Sequence, residues 1–407
     1  MRQPGRRDTM PLEAFPSIVP HGPGTPRLRV AAVMDTWIIS GPGRQLTALS
    51  RALQEHGIDL RVFMFQRSGR PPSPFIGYLE RAGVPHVVIP DNGPLDAALP
   101  GRLRQAFYEW QPDIIQTHGY RMTTLVFLLR LAGLRLPWIA FFHGATDENL
   151  KMQLYNRLDR MLLRRADRLV VLSEENRRVF ADVAERVRLI HNASFPIPPD
   201  GEHVRLDHLR QPGRPLITAV SRLSPEKGLD LLIEAVARLS AAGRPVSLAV
   251  AGDGQERAAL ERQAAALGIQ DHVHFLGMVQ NVTSLYSQVD AVVLPSRPGR
   301  EGLPNVLLEA MRADAPVVAT AAGSVPDVLA VPGSGELVSP GDVDALVQGI
   351  EAALARGRSP EASAARAEAI DRFSLERRVA AHLSLYAEVR PDLLAGAPLG
   401  AAVAATT

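Results

Sequence analysis

The sequence predicts an α/β protein built from two doubly wound domains. Short β-rich runs alternate with helical ones along two separate stretches, and a Pro/Gly-rich break parts them. The 407 residues suffice for two domains of ordinary size, each able to bury a core. Hydrophobic and charged fractions of 46% and 22% belong to a globular chain. Alternating β and α elements require parallel sheets covered by helices on both faces, with ligands at the carboxyl ends of the strands. Loops that follow strands are therefore the places to look for chemistry.

In the first stretch Leu28–Met34 reads as a strand. A Gly41-Pro42-Gly43 turn follows, then a helix over 44–56 with Leu46, Leu49 and Leu53 at helical spacing. Further strands are expected at 60–65, 86–89, 114–117, 138–142, 168–172 and 187–191. Pro196, Pro198, Pro199 and Gly201 break the pattern and Pro212-Gly213 closes the break, which puts an inter-domain linker at 194–213. It parts an N-terminal domain over 27–193 from a C-terminal domain over 214–373. The second stretch opens with a strand at 216–220, and strands follow at 246–251, 273–275, 291–295 and 316–320. The run 374–389 has Leu375, Val379, Leu383 and Tyr386 at helical spacing, so a C-terminal helix is expected over 374–390. The Ala-rich 391–407 reads as a flexible tail. Residues 1–26 carry Arg2, Arg6, Arg7 and several prolines without an apolar segment. They are expected to be a disordered extension, neither a signal peptide nor a spanning helix.

Composition excludes several classes. With no cysteine there is no disulfide, thiolate catalysis or cysteine-ligated metal, which fits a reducing cytoplasm. No run of about 18 apolar residues is present, so nothing spans a membrane. Aromatics are 5% of residues and interleave with no basic run, which disfavours nucleic-acid binding. Of 45 basic residues, Lys151 and Lys227 are the sole lysines, as a GC-rich coding background produces. A lysine kept at a particular place then draws attention, and Lys227 is one.

The most informative run is Arg300-Glu301-Gly302-Leu303-Pro304-Asn305, continuing to Glu309 and Met311. Gly302 permits loop angles, and Pro304 is favoured in the first turn of a helix. A helix starting there turns its unpaired N–H groups and positive dipole end toward the loop, a ready anion site. Glu309 follows about one turn later, within reach of hydroxyls attached to that anion. An anion cradle with two carboxylates beside it suits a phosphorylated sugar-like ligand.

Other strand-end loops add to it. Arg222 and Lys227 lie between the 216–220 strand and the next helix, where basic side chains can neutralise a diphosphate; an exposed charged turn would look the same. Gly252-Asp253-Gly254 and Gly41-Pro42-Gly43 are weak glycine-rich signals on their own. His118 and His143-Gly144 both follow strands; a lone histidine is more often structural, but two at equivalent strand ends shift the balance. Asp342-Val343-Asp344 resembles a divalent-metal pair, yet it follows Pro340-Gly341 and opens a helix, so N-capping explains it better. No histidine or carboxylate spacing points to a structural metal.

In order and spacing these motifs resemble the family-4 retaining glycosyltransferases of the GT-B fold, over about residues 28 to 389. The resemblance runs through the Gly-rich first turn, the 113–118 strand end, Phe142-His143-Gly144, the 165–173 run and Leu189-Ile190-His191-Asn192. It continues through Ala219-Val220-Ser221-Arg222-Leu223 with Lys227-Gly228, Ala251-Gly252-Asp253-Gly254, Phe275-Leu276-Gly277, Leu294-Pro295-Ser296 and the Glu301/Glu309 pair. It implies α/β GT-B architecture: two doubly wound Rossmann-like domains facing each other across a cleft, with the C-terminal helix crossing back to the N-terminal domain. It also implies a nucleotide-sugar donor in the C-terminal domain and an acceptor in the N-terminal one.

By that resemblance Arg222 and Lys227 hold the diphosphate, aided by Gly302, Pro304 and the N–H groups of Leu303 and Asn305. Glu309 binds the ribose, Glu301 contacts the donor sugar, and His143 lies beside the reacting centre. The base is read by backbone around Gly277 and Val279. Gly43 closes over the phosphates, while Gly41 and His118 belong to the acceptor side. No metal or other cofactor is implied. Retention is expected through a same-face route in which the leaving phosphate helps deprotonate the acceptor. An NDP-sugar epimerase or sugar phosphorylase on the same scaffold, or a non-catalytic sugar-nucleotide-binding protein, remains the alternative. Three positions depart from the family pattern: Ala193 after Asn192, Asp327 where glutamate is common, and Ser40-Gly41-Pro42-Gly43 in place of paired glycines.

Charge is uneven. Residues 1–200 hold 26 Lys+Arg against 19 Asp+Glu, a net of +7, and residues 201–407 hold 19 against 24, a net of −5. A basic acceptor domain fits anionic lipid or phosphorylated acceptors. The 157–165 segment is basic and amphipathic, as peripheral membrane helices are, though a solvated helix on its own sheet has the same pattern. The sequence expectation is thus a cytoplasmic bacterial enzyme of polysaccharide or glycoconjugate synthesis, with possible peripheral association with anionic membrane.

Overall fold

The computed structural model describes residues 28–93, 96–144, 150–196, 203–298 and 302–394. The expected disordered extension and most of the expected tail lie outside the described residues. By its internal contacts the chain forms two compact units. One takes the described residues within Met1–Phe142, Arg157–Val170 and His382–Ala401; the other takes those within His143–Asn156 and Val171–Ala381.

The first sheet contains β1 (Leu28–Met34), β2 (Ile58–Arg67), β3 (His86–Asp91), β4 (Ile114–His118), β5 (Trp138–Phe142), β6 (Arg168–Val171) and β7 (Val187–Leu189). Its order is β3-β2-β1-β4-β5-β6-β7. β1 pairs in parallel with β2 and β4, and Val30 sits opposite both Leu60 and Ile114. β1 and β5 are nearly continuous apolar runs, and every residue of β4 and β5 is buried, because both faces of the sheet are covered there.

The second sheet contains β8 (Leu216–Val220), β9 (Ser247–Ala251), β10 (Val273–Gly277), β11 (Ala291–Leu294), β12 (Val317–Thr320) and β13 (Glu336–Val338). Its order is β10-β9-β8-β11-β12-β13, parallel throughout. Period-two alternation sorts its residues into two cores. Ile217, Ala219, Leu248, Val250, Ala291 and Val293 pack with Leu232, Ile233, Leu346 and Ile350 on one face. Leu216, Ala249, Ala251, Val292, Leu294 and Val317 pack with Leu307, Leu308 and Met311 on the other. Each buried Val, Leu, Ile or Met side chain among them contributes about 1.5–3 kcal/mol relative to exposure.

Several expectations are corrected. The helix after β1 starts at Gly41, not Arg44, because Ser40 caps it and Pro42 fits its first turn. Within the linker expected over 194–213, Leu206 and Leu209 are buried in the second unit's core, and the two units part at Phe142/His143, Asn156/Arg157, Val170/Val171 and Ala381/His382. The C-terminal helix, Leu375–Val389, is therefore shared: Arg378 bonds within the second unit and Tyr386 within the first. Pro391–Leu394 is a helical turn with Leu394 buried, so the expected tail starts with folded chain.

Candidate functional site

In both sheets the strand order reverses once: between β1 and β4 in the first, and between β8 and β11 in the second. The carboxyl ends of the strands flanking such a switch point splay apart and leave room for a ligand. In the second unit those ends carry Arg222 and Lys227 after β8, and Gly302 to Glu309 after β11.

The loop after β8 is clamped by backbone. Ser221 N donates to Ala251 O at 3.0 Å, Leu223 N to Asp253 O at 2.9 Å, and Glu256 N to Leu223 O at 3.1 Å. A Cβ on Gly252 would lie 1.8 Å from Ser221 O, and one on Gly254 2.2 Å from Leu223 O. The tight Gly252-Asp253-Gly254 turn is thus glycine because two main chains touch there. At the loop's far end Gly228 has φ +64°, and a Cβ on it would lie 2.1 Å from Pro295 O. This contact joins the Lys227-Gly228 turn to the exit of β11. Lys227 is partly buried at the end of the 3-10 turn Pro225–Lys227. Arg222 is half exposed and ion-paired with Glu226 at 2.6 Å.

Glu301 lies outside the described residues. The loop that follows it is fixed from three sides. Ser324 N donates to Gly302 O at 2.8 Å. Asn192 Nδ2 donates to Leu303 O at 3.1 Å, and Arg378 Nη1 in turn donates to Asn192 Oδ1 at 3.0 Å. A Cβ on Gly302 would sit 3.1 Å from Leu172 and 3.3 Å from His143 O, so the loop passes close to His143. Pro304 is the N-cap of the helix Asn305–Arg312 and gives no side-chain cap bond. This helix start follows the loop Gly302–Leu303 directly.

Glu309 is partly buried in that helix, and its Oε2 accepts from the Tyr286 hydroxyl at 3.1 Å. Sequence reasoning missed Tyr286, Glu226, Ser324 and Arg378. Tyr286 lies in the mixed run Val282-Thr283-Ser284-Leu285-Tyr286-Ser287, which carries no local signal of its bond to Glu309.

His143 follows β5 and groups with the second unit. Burial first, and the Arg378 guanidinium second, pull its pKa from 6.5 to about 4, so it is neutral near pH 7. Gly277 has φ +70° and ends β10 in a register shift, with its carbonyl accepting from Gly252 N at 2.7 Å. Val279 packs against the core, while Met278 between them is 70% exposed.

In the first unit Gly41 and Gly43 open the helix Gly41–Gln54, and Gly43 N donates to Ser40 Oγ at 3.2 Å. A Cβ on Gly43 would come within 2.7 Å of the Phe75 ring, so packing alone selects glycine there. His118 ends β4, is buried, and stacks on Phe141 at 4.5 Å with Gln116 Nε2 3.3 Å from its Nε2. Near it, and missed by the sequence reading, Arg121 pairs with Asp35 at 2.7 Å and with the fully buried Asp91 at 2.9 Å.

Residues 202–370 match the family model for glycosyl transferases group 1, and residues 39–193 that for glycosyltransferase family 4. A 2-deoxystreptamine glucosyltransferase of Streptomyces kanamyceticus is 29% identical over 349 residues, which cover 76% of this chain and 88% of the relative. A GDP-mannose-dependent α-(1-6)-phosphatidylinositol monomannoside mannosyltransferase of Mycolicibacterium smegmatis is 32% identical over 174 residues, 40% of this chain and 46% of that one. HepE of Anabaena, solved with UDP and glucose, superposes with a TM-score of 0.72 at 22% identity, covering 89% of this chain and 100% of its own. Sucrose-phosphate synthase of Thermosynechococcus elongatus gives 0.73 at 19% identity, covering 90% and 100%. With two parallel Rossmann-like sheets, their switch points and both family models in place, the chain belongs to the family-4 glycosyltransferases of the GT-B fold.

Proposed function

We propose that the protein moves a sugar from a nucleoside-diphosphate sugar to a glycan, lipid or other glycoconjugate acceptor, with retention of configuration and without a metal. The observation that carries this is the junction of the β8 and β11 loops at the Gly228–Pro295 contact. It puts two basic residues and a helix start on one switch point. Arg222 and Lys227 take the donor diphosphate with the backbone N–H groups of Leu303 and Asn305, and Gly302 and Pro304 shape that loop. Glu309 takes the ribose hydroxyls, Glu301 the donor sugar, and the backbone at Gly277 and Val279 the base.

As the glycosidic bond breaks, negative charge grows on the leaving diphosphate, where fixed cations and N–H groups stabilise it without reorganising. A phosphate oxygen of the leaving group is then basic enough to accept the acceptor hydroxyl's proton on the same face of the sugar. Neutral His143 donates or accepts a hydrogen bond without adding charge. On the first unit we assign Gly41 and His118 to the acceptor side.

We assign an anionic membrane surface as a partner. The helix Leu150–Leu163 exposes Leu154, Leu158 and Met161 at helical spacing. Arg157 and Arg165 are exposed beside them with no carboxylate partner among the described residues. The helix Tyr120–Leu131, bonded to it through Thr123 and Asp159, exposes Leu128 and Leu131. Apolar side chains among arginines suit a lipid headgroup layer. Among the described residues no helix is long and apolar enough to cross a membrane. A cytoplasmic enzyme working at the membrane face is the location we propose.

The test is a thermal-shift screen of nucleoside diphosphates and their sugars against the wild type and the Lys227→Ala and Glu309→Ala variants. A native-state ligand raises the melting temperature. No shift with any nucleotide, or equal shifts in all three proteins, would sink the donor-site assignment.

A further inference from the structure

The β8 loop holds a carboxylate of its own directly behind its exposed arginine. Glu226 Oε1 accepts from Arg222 Nη2 at 2.6 Å and from the Ser224 hydroxyl at 2.6 Å, and Arg222 Nε reaches Ser224 Oγ at 3.3 Å. The two ends of the pair differ in exposure: the Glu226 side chain is 9% exposed and that of Arg222 50%. Burial works to raise the Glu226 pKa. The Ser224 hydroxyl, a backbone N–H and Arg222 outweigh it, so the carboxyl stays ionised.

The main chain that carries this carboxylate is anchored in turn. Arg297 N donates to Glu226 O at 2.9 Å, and the Arg297 guanidinium forks onto both Asp230 oxygens at 2.9 and 2.6 Å while also reaching Pro225 O. An exposed arginine free to rotate gives up side-chain entropy when it grips an anion. One already held along its Nε–Nη2 edge has given up much of it.

We infer that Glu226 is a positioning residue for the transfer reaction: it acts through Arg222, fixing the guanidinium plane that meets the donor diphosphate. The inference rests on the reading of Arg222 as a diphosphate grip. The sequence offered Glu226 merely as one charge in an exposed turn, whereas its burial and its bonds to Ser224 and Arg222 separate it from a solvent charge. A surface ion pair of this spacing is ordinarily worth little, and this one differs because its carboxylate is buried and is also bonded by the Ser224 hydroxyl.

Calorimetric titration with UDP, GDP, ADP and dTDP tests this in a double-mutant cycle of Glu226→Ala and Arg222→Ala. Wild type is expected to bind at least one of them. R222A is expected to weaken that nucleotide about ten-fold. E226A should weaken it by a similar factor in the wild-type background and not at all in the R222A background. E226Q, which keeps an acceptor oxygen for Arg222 and Ser224, should recover most of the loss.

If E226A does not fold, E226M removes the acceptor at similar length and takes its place in the cycle. A loss that E226A repeats undiminished in the R222A background would mark a general structural role and overturn the inference. Wild-type or tighter binding by E226A would overturn it as well. If R222A binds as wild type does, or no nucleotide binds, the reading of the diphosphate site fails instead.

Discussion

The hydroxyl of Tyr286 donates to Glu309 Oε2 at 3.1 Å from a side chain that is fully buried. One end of the pair is thus fixed by core packing, and the other is half-buried on the helix Asn305–Arg312 that follows β11. A phenol locked in this way holds the carboxylate in one rotamer, which a ribose diol needs if it is to be met by two hydrogen bonds. Tyr286→Phe keeps the ring and removes this bond, at a cost of about 1–2 kcal/mol. Wild type is expected to prefer a ribonucleoside diphosphate over its 2′-deoxy analogue by about ten-fold. Glu309→Ala should abolish that preference and Tyr286→Phe should reduce it, as read by competition titration. An undiminished preference in Glu309→Ala would remove Glu309 from the ribose site.

Gly228 is expected to tolerate no side chain. Its φ of +64° disfavours L-residues, and a Cβ would meet Pro295 O at 2.1 Å, backbone against backbone. Gly228→Ala should cost about 3 kcal/mol or more in stability and abolish nucleotide binding, because the two switch-point loops must part. Gly243 is the control. It has φ +72° with nothing within 4 Å of a Cβ, so its alanine variant should lose only about 1–2 kcal/mol and keep nucleotide binding. Equal losses at the two sites, measured by chemical denaturation, would contradict the close-contact account.

Acidification should act on two buried groups in opposite directions. Burial, helped by Arg378, lowers His143 from 6.5 to about 4 in the folded chain. Between those values the unfolded chain binds a proton there that the folded chain refuses, so stability falls as pH drops below 6.5 and levels off near 4. Burial raises Asp159 from 3.8 to about 6 against the opposing Thr123 bond and Arg160 charge. There the folded chain binds the extra proton, so stability rises as pH falls from 6 toward 3.8. His143→Gln should therefore lose less melting temperature between pH 7 and 5 than wild type, and Asp159→Asn should lose more. The His143 contribution is bounded at about 3 kcal/mol. Melting curves shifted in the same direction by both substitutions would refute the assignment.

The apolar face of the helix Leu150–Leu163 gives a separate expectation. Wild type should sediment with vesicles containing phosphatidylglycerol and stay in solution with pure phosphatidylcholine, since arginines attract the anionic surface before leucines enter it. Leu158→Glu with Met161→Glu should abolish sedimentation and leave nucleotide affinity unchanged. Binding insensitive to both lipid charge and these substitutions would exclude this face.

Much of this was legible in sequence for identifiable reasons. Ala291–Leu294 is an unbroken apolar run stopped by Pro295, and that is what a strand covered on both faces must look like. Asp342 caps its helix by accepting from Ala345 N at 2.9 Å, as its place after Pro340-Gly341 implied. β13 escaped notice because Glu336–Val338 is three residues long and only Val338 is buried. Gly41-Pro42-Gly43 misled because the same residues that favour turns also suit a capped helix start. Tyr286 and Arg378 act through side-chain bonds to residues 23 and 186 positions away, which no local pattern encodes, and the Glu226 bond to Arg222 four positions away depends on the burial of a turn that reads as exposed.

The last expectation concerns the charge that builds on the leaving group. If Arg222, Lys227 and the helix start supply the counter-charge, a divalent ion has no place in the reaction. Transfer should then run at the same rate in excess EDTA as in magnesium. The product's anomeric configuration, followed by NMR, should match the donor's. Lys227→Met removes one cation while keeping most of the stem's packing, and should lower kcat by about 10²–10³, the usual cost of losing one oriented charge-stabilising donor. Added magnesium should not restore that rate, because an ion needs oxygen ligands that a methionine does not provide. A rate that EDTA abolishes, or that magnesium restores in Lys227→Met, would show that the charge is met by a metal and not by the β8 loop.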